Sequence, residues 1–327
     1  MRHVQNILKI IFSLGLLGYL VYRAEPARLI SVLSNITEKD GVAFLVAAFL
    51  LMLLAVFFLA LRWRVLLKSY GFHLKTSQLF GFYLIGMFFN NFLPTSIGGD
   101  IMRIYKLISA TDDRTSAFAS VIIERLMGIA ATLLMSIFAL IYISQQFHDN
   151  RLLIVAVVMF LAIMVFFTLI LRDRSFNIIL KIFDRFTIFR IGQKFNKLFE
   201  AIHLFQEKRM VLMEVFMLSF ISQFFIVSMN YLVAVAFSIP VSFGYLLMVV
   251  PISFVLTMLP SINGIGIRDL GFVGLLAQVG ISTAEALTLS FLNLIIPMVI
   301  STAGGLLFML QKNKAIPGGE NVFDAKI

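Results

Sequence analysis

The sequence predicts an all-α polytopic membrane protein of about six full spans plus two opposed re-entrant broken-helix hairpins, related as an inverted repeat. Three observations carry this. The 327 residues are 60% hydrophobic and 13% charged, with a mean hydropathy of +0.98, which fits no soluble globular class. Two apolar runs break at matching Pro/Gly-rich stretches. Lys and Arg cluster in a few loops, as the positive-inside rule requires.

The net charge of +10 is therefore read as membrane topology, and no nucleic-acid partner is expected. No Cys is present, which excludes disulfides, Cys-ligated zinc and thiol catalysis. His3, His73, His148 and His203 make no metal-ligand spacing, and no cofactor is expected. The Phe and Met residues are read mostly as helix filler.

In chain order, Ile10 to Tyr22 is a retained first span with its N-terminus inside. The mixed charges of Arg23 to Asp40 suit the outer side. Gly41 to Leu61 is the second span, leaving into Arg62-Trp63-Arg64, where a Trp among cations marks an inner interface. Leu79 to Ile97 has basic residues on both sides, so it enters and returns on the cytoplasmic face as a hairpin. Thr115 to Ile143 is a long helix containing Glu124-Arg125, and Leu152 to Leu171 returns. Residues 172–209 hold nine cations, and within them Phe176, Ile179, Leu180, Phe183 and Phe186 recur at helical spacing with cations between, an amphipathic cytoplasmic segment suited to anionic phospholipid at the inner leaflet. Val211 to Phe237 spans outward, with Gln223 and Asn230 on one face. Tyr245 to Gly280 is the second hairpin, entering from outside. Ser282 to Glu285 is a polar break. Ala286 to Leu310 spans back, kinked at Pro297, and Lys312 and Lys314 place the C-terminus inside. Residues 1–314 are thus read as one transmembrane domain and 315–327 as a cytoplasmic tail, in the cell membrane. No soluble domain is expected to be appended.

The chemistry gathers at the two breaks. The first is Asn90-Asn91-Phe92-Leu93-Pro94 running into Gly98-Gly99-Asp100-Ile101-Met102-Arg103. The second is Leu259-Pro260-Ser261-Ile262-Asn263-Gly264-Ile265-Gly266-Ile267-Arg268-Asp269. In each, Pro and Gly stand four apart and an Arg and an Asp follow. Non-helical backbone at membrane depth must be buried in protein or line a wet cavity. Asp100, Arg103, Glu124, Arg125, Arg268 and Asp269 would each cost about 2.5–3.5 kcal/mol at a helix centre. Their signs balance at three each, so they either pair or line a polar cavity. A structural role would have Asp100 cap a helix starting at Ile101 and Glu124 pair with Arg103 or Arg268 to hold the bundle. A binding role would use the guanidiniums as forks for phosphate, with the helix N-terminus adding N–H donors. No nucleotide loop is present, and no Ser stands beside a His, so ATP-driven pumping and nucleophilic catalysis are not expected.

These same residues resemble a known family. Asn91-Phe92-Leu93-Pro94 leading into Gly98-Gly99-Asp100 and Arg103, then Glu124-Arg125-Leu126, then Leu259-Pro260 with Gly264-Ile265-Gly266-Ile267-Arg268-Asp269, resemble the lysylphosphatidylglycerol synthase transmembrane (flippase-like) family over nearly the whole chain. Many members have Glu where this chain has Asp269, which keeps the charge with a shorter reach. The resemblance implies an integral membrane protein of bacteria or archaea, related to a domain that moves aminoacylated phospholipids between leaflets. It implies a stand-alone member, because the aminoacyl-transferase domain of full-length synthases is not expected after Lys314.

The expectation is therefore a non-enzymatic, flippase-like protein moving a phosphate-containing lipid or lipid-linked headgroup. Its substrate-binding residues are Asn91, Gly98, Gly99, Asp100, Arg103, Glu124, Arg125, Asn263, Gly264, Arg268 and Asp269. Two alternatives stay open. One is a glycosyltransferase-like membrane enzyme acting on a lipid-linked sugar, with Asp100 or Glu124 as acid/base. The other is a non-transporting partner of a lipid-synthesis enzyme.

Overall fold

The computed structural model describes residues 18–24, 26–34, 38–91, 98–147, 151–170, 200–257 and 264–310. Within them all regular structure is helical. The helices are α1 (Pro26–Ser34), α2 (Glu38–Ser69), α3 (Thr76–Asn90), α4 (Gly98–Thr111), α5 (Arg114–Phe147), α6 (Arg151–Ile170), α7 (Arg209–Ala236), α8 (Phe243–Leu256), α9 (Ile267–Leu276) and α10 (Thr283–Leu310). Short 3₁₀ turns follow at Leu204–Gln206 and Ala277–Val279. Most of the expected first span, most of the amphipathic segment, Pro94, Pro260, Asn263 and the C-terminal tail lie outside the described residues.

Among the described residues four helices are long and apolar enough to cross a bilayer: Asp40–Ser69, Arg114–Ile141, Arg209–Ala236 and Thr283–Leu310. Leu153–Phe166 and Phe243–Leu256 are shorter apolar helices. The exposed faces are apolar. On α2, Val42, Val46, Leu50, Leu54 and Phe57 lie open on one side. On α6, Val155, Val158, Leu161 and Val165 do the same. In a soluble protein such stripes face a core; here they suit lipid.

The polar groups lie inside instead. Along α5, Ser116, Ser120, Glu124, Thr132 and Ser136 recur every four residues, and all are buried. That spacing sets each beside the next, in a stripe that winds slowly round the helix. Ser116 donates to Asp113 just before the helix, and Ser120, Thr132 and Ser136 donate back to carbonyls of their own helix, so Glu124 is the charged member that needs partners from other helices. Gly128 fills the remaining place in the stripe.

Both broken segments fold as antiparallel helix pairs. In the first, the Asn90 side chain meets Gly99, while Gly86, one turn earlier, meets Arg103, one turn later. In the second, Thr257 lies against Gly264, Ser253 against Gly271, and the Tyr245 hydroxyl donates to the Leu275 carbonyl at 2.9 Å. Helix α2 packs along α7, and α10 packs along α3. The main core joins every helix from α2 to α10. Near the end of α2, Lys208 Nζ donates to the Ser69 carbonyl at 2.6 Å and the Tyr70 hydroxyl to the Ala201 carbonyl at 3.0 Å. Burial, with a smaller push from Asp113, raises the Tyr70 phenol well above its ordinary value and keeps it a donor.

Three local expectations are corrected. Helix α2 runs on to Ser69, so Arg62, Trp63 and Arg64 lie within it rather than beyond a span ending at Leu61. Trp63 is fully buried in the protein and its indole N–H donates to Ser120 at 3.2 Å, so it is not an interface marker presented to headgroups. Helix α4 begins at Gly98, not Ile101, because the Asn90 side chain takes the Gly99 N–H at 2.6 Å. Asp100 then sits inside the first turn rather than capping it. Likewise α10 starts at Thr283, where Ser282 and Glu285 bond reciprocally as a capping box.

Helix α10 and α3 touch backbone to backbone. A methyl group on Gly304 would collide with the Leu84 carbonyl, and one on Gly305 would fall 2.7 Å from the Phe88 ring. A methyl group on Gly81 would meet only Leu307 Cδ1, at 3.7 Å. Gly304→Ala is therefore expected to lower stability by roughly 1–3 kcal/mol. Gly81→Ala, with room and better helix propensity, is expected to be neutral or stabilising by up to about 1 kcal/mol. Thermal unfolding midpoints in detergent check this contrast, and equal midpoints would refute the close-packing account.

Candidate functional site

Glu124 stands at the centre of a buried ionic cluster. Its side chain is 1% exposed. From α2, Arg62 reaches Glu124 Oε1 with Nη2 at 2.6 Å and Nε at 3.2 Å. Arg62 also donates to the Ser219 hydroxyl on α7 at 2.8 Å and to the Tyr83 hydroxyl on α3 at 3.3 Å. Gly128 admits this guanidinium, since a methyl group there would sit 3.0 Å from Arg62 Nη1.

The other carboxylate oxygen of Glu124 accepts from Arg103 Nη2 on α4. Arg103 Nη1 pairs with Asp100 Oδ1, one turn back, at 3.2 Å. Its guanidinium carbon lies 3.8 Å from the Tyr83 ring centroid and 4.4 Å from that of Trp63, a cation–π seat made from α3 and α2. Arg103 Nε is buried without a hydrogen-bond partner. Asp100 Oδ2 faces Arg125 Nη2 at 3.0 Å, and the Arg125 side chain is 37% exposed. Five charged side chains from three helices thus form one network, with Arg125 at its accessible edge. One turn beyond Arg103, Lys106 Nζ lies 4.9 Å above the Phe308 ring of α10.

The helix ends around this network are built by close approach. Gly99 must lack a side chain because a methyl group would strike the Gly86 carbonyl and the Asn90 side chain. Asn91 donates to Ser301 of α10 at 2.9 Å, which ties the hairpin to that helix. Gly98 and Gly99 are buried at the start of α4.

The second break builds a separate group. Gly264 and Gly266 take φ of 76° and 84°, the left-handed region that favours glycine. The Gly266 N–H donates to Asp269 Oδ2 at 2.8 Å. Arg268 Nη2 donates to Asp269 Oδ1 at 2.8 Å, and its Nε to Ser290 of α10 at 3.1 Å. Ser290 also donates to Asp269 Oδ1. Arg268 and Asp269 are both buried. Glu124 therefore pairs with Arg103, not Arg268, and Arg268 is neutralised by its own neighbour. The structure brings Asp100, Arg103, Glu124 and Arg125 together, and keeps Arg268 and Asp269 in a group of their own.

Arg62, Tyr83, Ser219 and Ser290 were not foreseen in the sequence. The signal for Arg62 was its place on an apolar helix facing a carboxylate that needed a second partner. Among the described residues no group of three or more His, Cys, Asp or Glu side chains converges as a metal site.

The family model described as the lysylphosphatidylglycerol synthase TM region matches residues 6–305. A UPF0104 membrane protein of the archaeon Pyrococcus horikoshii is 23% identical over 96% of this chain and 99% of its own length. A UPF0104 membrane protein of Methanocaldococcus jannaschii is 30% identical over 42% of this chain, and the match spans 40% of that relative. No solved structure matches the chain significantly.

The burial pattern sets the expected cost of each truncation. Glu124→Ala leaves two buried guanidiniums without their shared carboxylate and is expected to cost about 3–5 kcal/mol. Arg125→Ala removes a part-exposed partner and is expected to cost less than about 1 kcal/mol. Unfolding in detergent measures both, and a Glu124→Ala protein as stable as wild type would remove Glu124 from the centre of the network.

Proposed function

The chain belongs to the lysylphosphatidylglycerol synthase transmembrane family, and from that premise we propose that it moves a phosphate-bearing lipid headgroup between membrane leaflets. The carrying observation is the five-residue network, in which three guanidiniums share two carboxylates. Within these five side chains one positive charge is in excess. A phosphate beside Arg125 would answer it through a charge-assisted fork. Asp100, released from Arg125, would then face any cationic part of the head. The acyl tails would stay in the bilayer throughout.

In this reading the two antiparallel helix pairs are hairpins entering from opposite leaflets of the cell membrane, with both termini cytoplasmic. Residues 172–209 rest on anionic lipid at the inner face. Arg268 and Asp269, paired with each other, hold the second hairpin against α10 through Ser290. A lipid-synthesis enzyme would supply the substrate.

The enzymatic alternative needs Asp100 or Glu124 to carry a proton. In the structure both carboxylates are bound by arginines, Glu124 by Arg62 and Arg103 and Asp100 by Arg103 and Arg125.

The test reconstitutes the protein in liposomes with headgroup-labelled lipids, one phospholipid class at a time, and follows label loss to an impermeant quencher. One class is expected to exchange faster than in empty liposomes, and Arg125→Gln is expected to slow that exchange on the order of tenfold or more. Equal exchange by wild type and a folded Arg125→Gln variant would overturn the assignment of the anion site. A new covalent lipid product would favour the enzyme.

A further inference from the structure

The charge network joins two bodies of helices, the first hairpin and the bundle it packs against. Arg62, Glu124 and Arg125 belong to α2 and α5, which pack with α7 in the bundle. Asp100 and Arg103 belong to α4, the second arm of the first hairpin. Two pairs lie within a body: Arg62 with Glu124, and Arg103 with Asp100. Two pairs cross between bodies: Arg103 with Glu124, and Arg125 with Asp100.

We infer that Arg62 is a positioning residue that keeps Glu124 neutralised while the first hairpin parts from the bundle, so that Arg103–Glu124 and Arg125–Asp100 act as a releasable latch. The inference rests on the transport reading, in which this hairpin moves. Of the ion pairs, separation breaks only the two crossing ones; it also parts Arg62 from the Tyr83 hydroxyl and Arg103 from the Trp63 ring. Glu124 keeps Arg62, which is itself anchored by Ser219 and admitted by Gly128. Arg103 keeps Asp100 one helical turn away. No buried charge of either pair is left alone, which is the outcome that makes breaking an ion pair inside a protein so unfavourable. Parting separates Arg125, at the accessible edge, from Asp100, a cation beside an anion, which suits a headgroup carrying a phosphate.

This account makes the two partners of one ion pair act in opposite directions. Without Arg62, opening would leave Glu124 without its fixed partner, so the hairpin stays shut. Without the Glu124 charge, the latch is lost, so the hairpin opens. A residue that merely supports the fold would loosen the hairpin whichever partner was removed.

The native chain has no cysteine, so a single Ile104→Cys substitution reports on the hairpin. Ile104 is 8% exposed and lies next to Arg103. Its reaction with an impermeant maleimide would be timed in full-length protein in detergent. Met229→Cys, fully buried in α7, reports global unfolding in parallel. In the Ile104→Cys background, Arg62→Gln is expected to slow labelling about tenfold and Glu124→Gln to speed it about tenfold, with Met229→Cys protected throughout. Gly128→Ala keeps every charge but crowds the Arg62 guanidinium, and it is expected to slow labelling too. It decides the matter if Arg62→Gln fails to fold. Faster or unchanged labelling in either Arg62→Gln or Gly128→Ala, with Met229→Cys protected, overturns the latch. Such a result with lipid exchange intact removes the latch alone; loss of the Arg125-dependent exchange removes the transport reading itself.

Discussion

A carboxylate buried away from water must find its whole solvation within the protein, and Glu124 meets that demand with two guanidiniums from different helices. Idealised transfer of such an ion into low dielectric costs several kcal/mol even after relaxation. Hydrogen bonds to charged groups return about 1.5–3 kcal/mol each. One partner would leave an oxygen unsatisfied; two satisfy both. That requirement draws α2, α4 and α5 to a single point, with Ser219 of α7 behind them. The local features follow from it. Gly128 must be small to admit Arg62, and Trp63 and Tyr83 supply ring faces for Arg103 rather than a lipid contact.

A second constraint is backbone contact. Without a hydrophobic drive between helices in lipid, close van der Waals approach must hold them, and small residues permit it. Gly86 and Gly99 let the arms of the first hairpin touch; Gly304 does the same between α10 and α3. Helix α10 also holds the second break through Ser290, upstream of Pro297, and the first hairpin through Ser301 and Gly304, downstream of it. One helix therefore carries both breaks, on either side of a residue that removes a backbone donor.

The sequence made the helices and the breaks legible because both rest on local rules: apolar run length, and the effect of Pro and Gly on the backbone. Helix starts were less legible. Nothing near Gly98 in sequence announces that Asn90, on the other arm, will supply its cap. The partners of Glu124 were half legible. Arg103 was expected as one of two candidates, while Arg62 was set aside as a loop cation because its helix was read as ending at Leu61. Composition favours that reading, since a cation after an apolar run usually marks the interface. The four-residue polar stripe of α5 carried contrary information, because a buried acid on such a face needs a cation opposite it. The separation of Arg268 from the first network was not legible at all, for the six charges balance in number whichever way they pair.

That separation bears on how alike the two halves are. Both breaks fold as antiparallel pairs and both place an Arg and an Asp early in the second helix. Their charge pairing differs in kind. In the first, Arg103 reaches out of the hairpin to the bundle, and Asp100 does the same through Arg125. In the second, Arg268 and Asp269 are adjacent and neutralise each other, with only the Ser290 hydroxyl joining them to α10. Reversing the order of Arg and Asp is enough to cause this. Three residues apart, Asp100 and Arg103 lie one helical turn from each other and leave each other's second donor or acceptor free. Side by side at the helix start, Asp269 is drawn to the Gly266 N–H and to Arg268 at once. Among the described residues the first pair of helices is tied to the bundle by ion pairs, and the second is tied to α10 through Ser290.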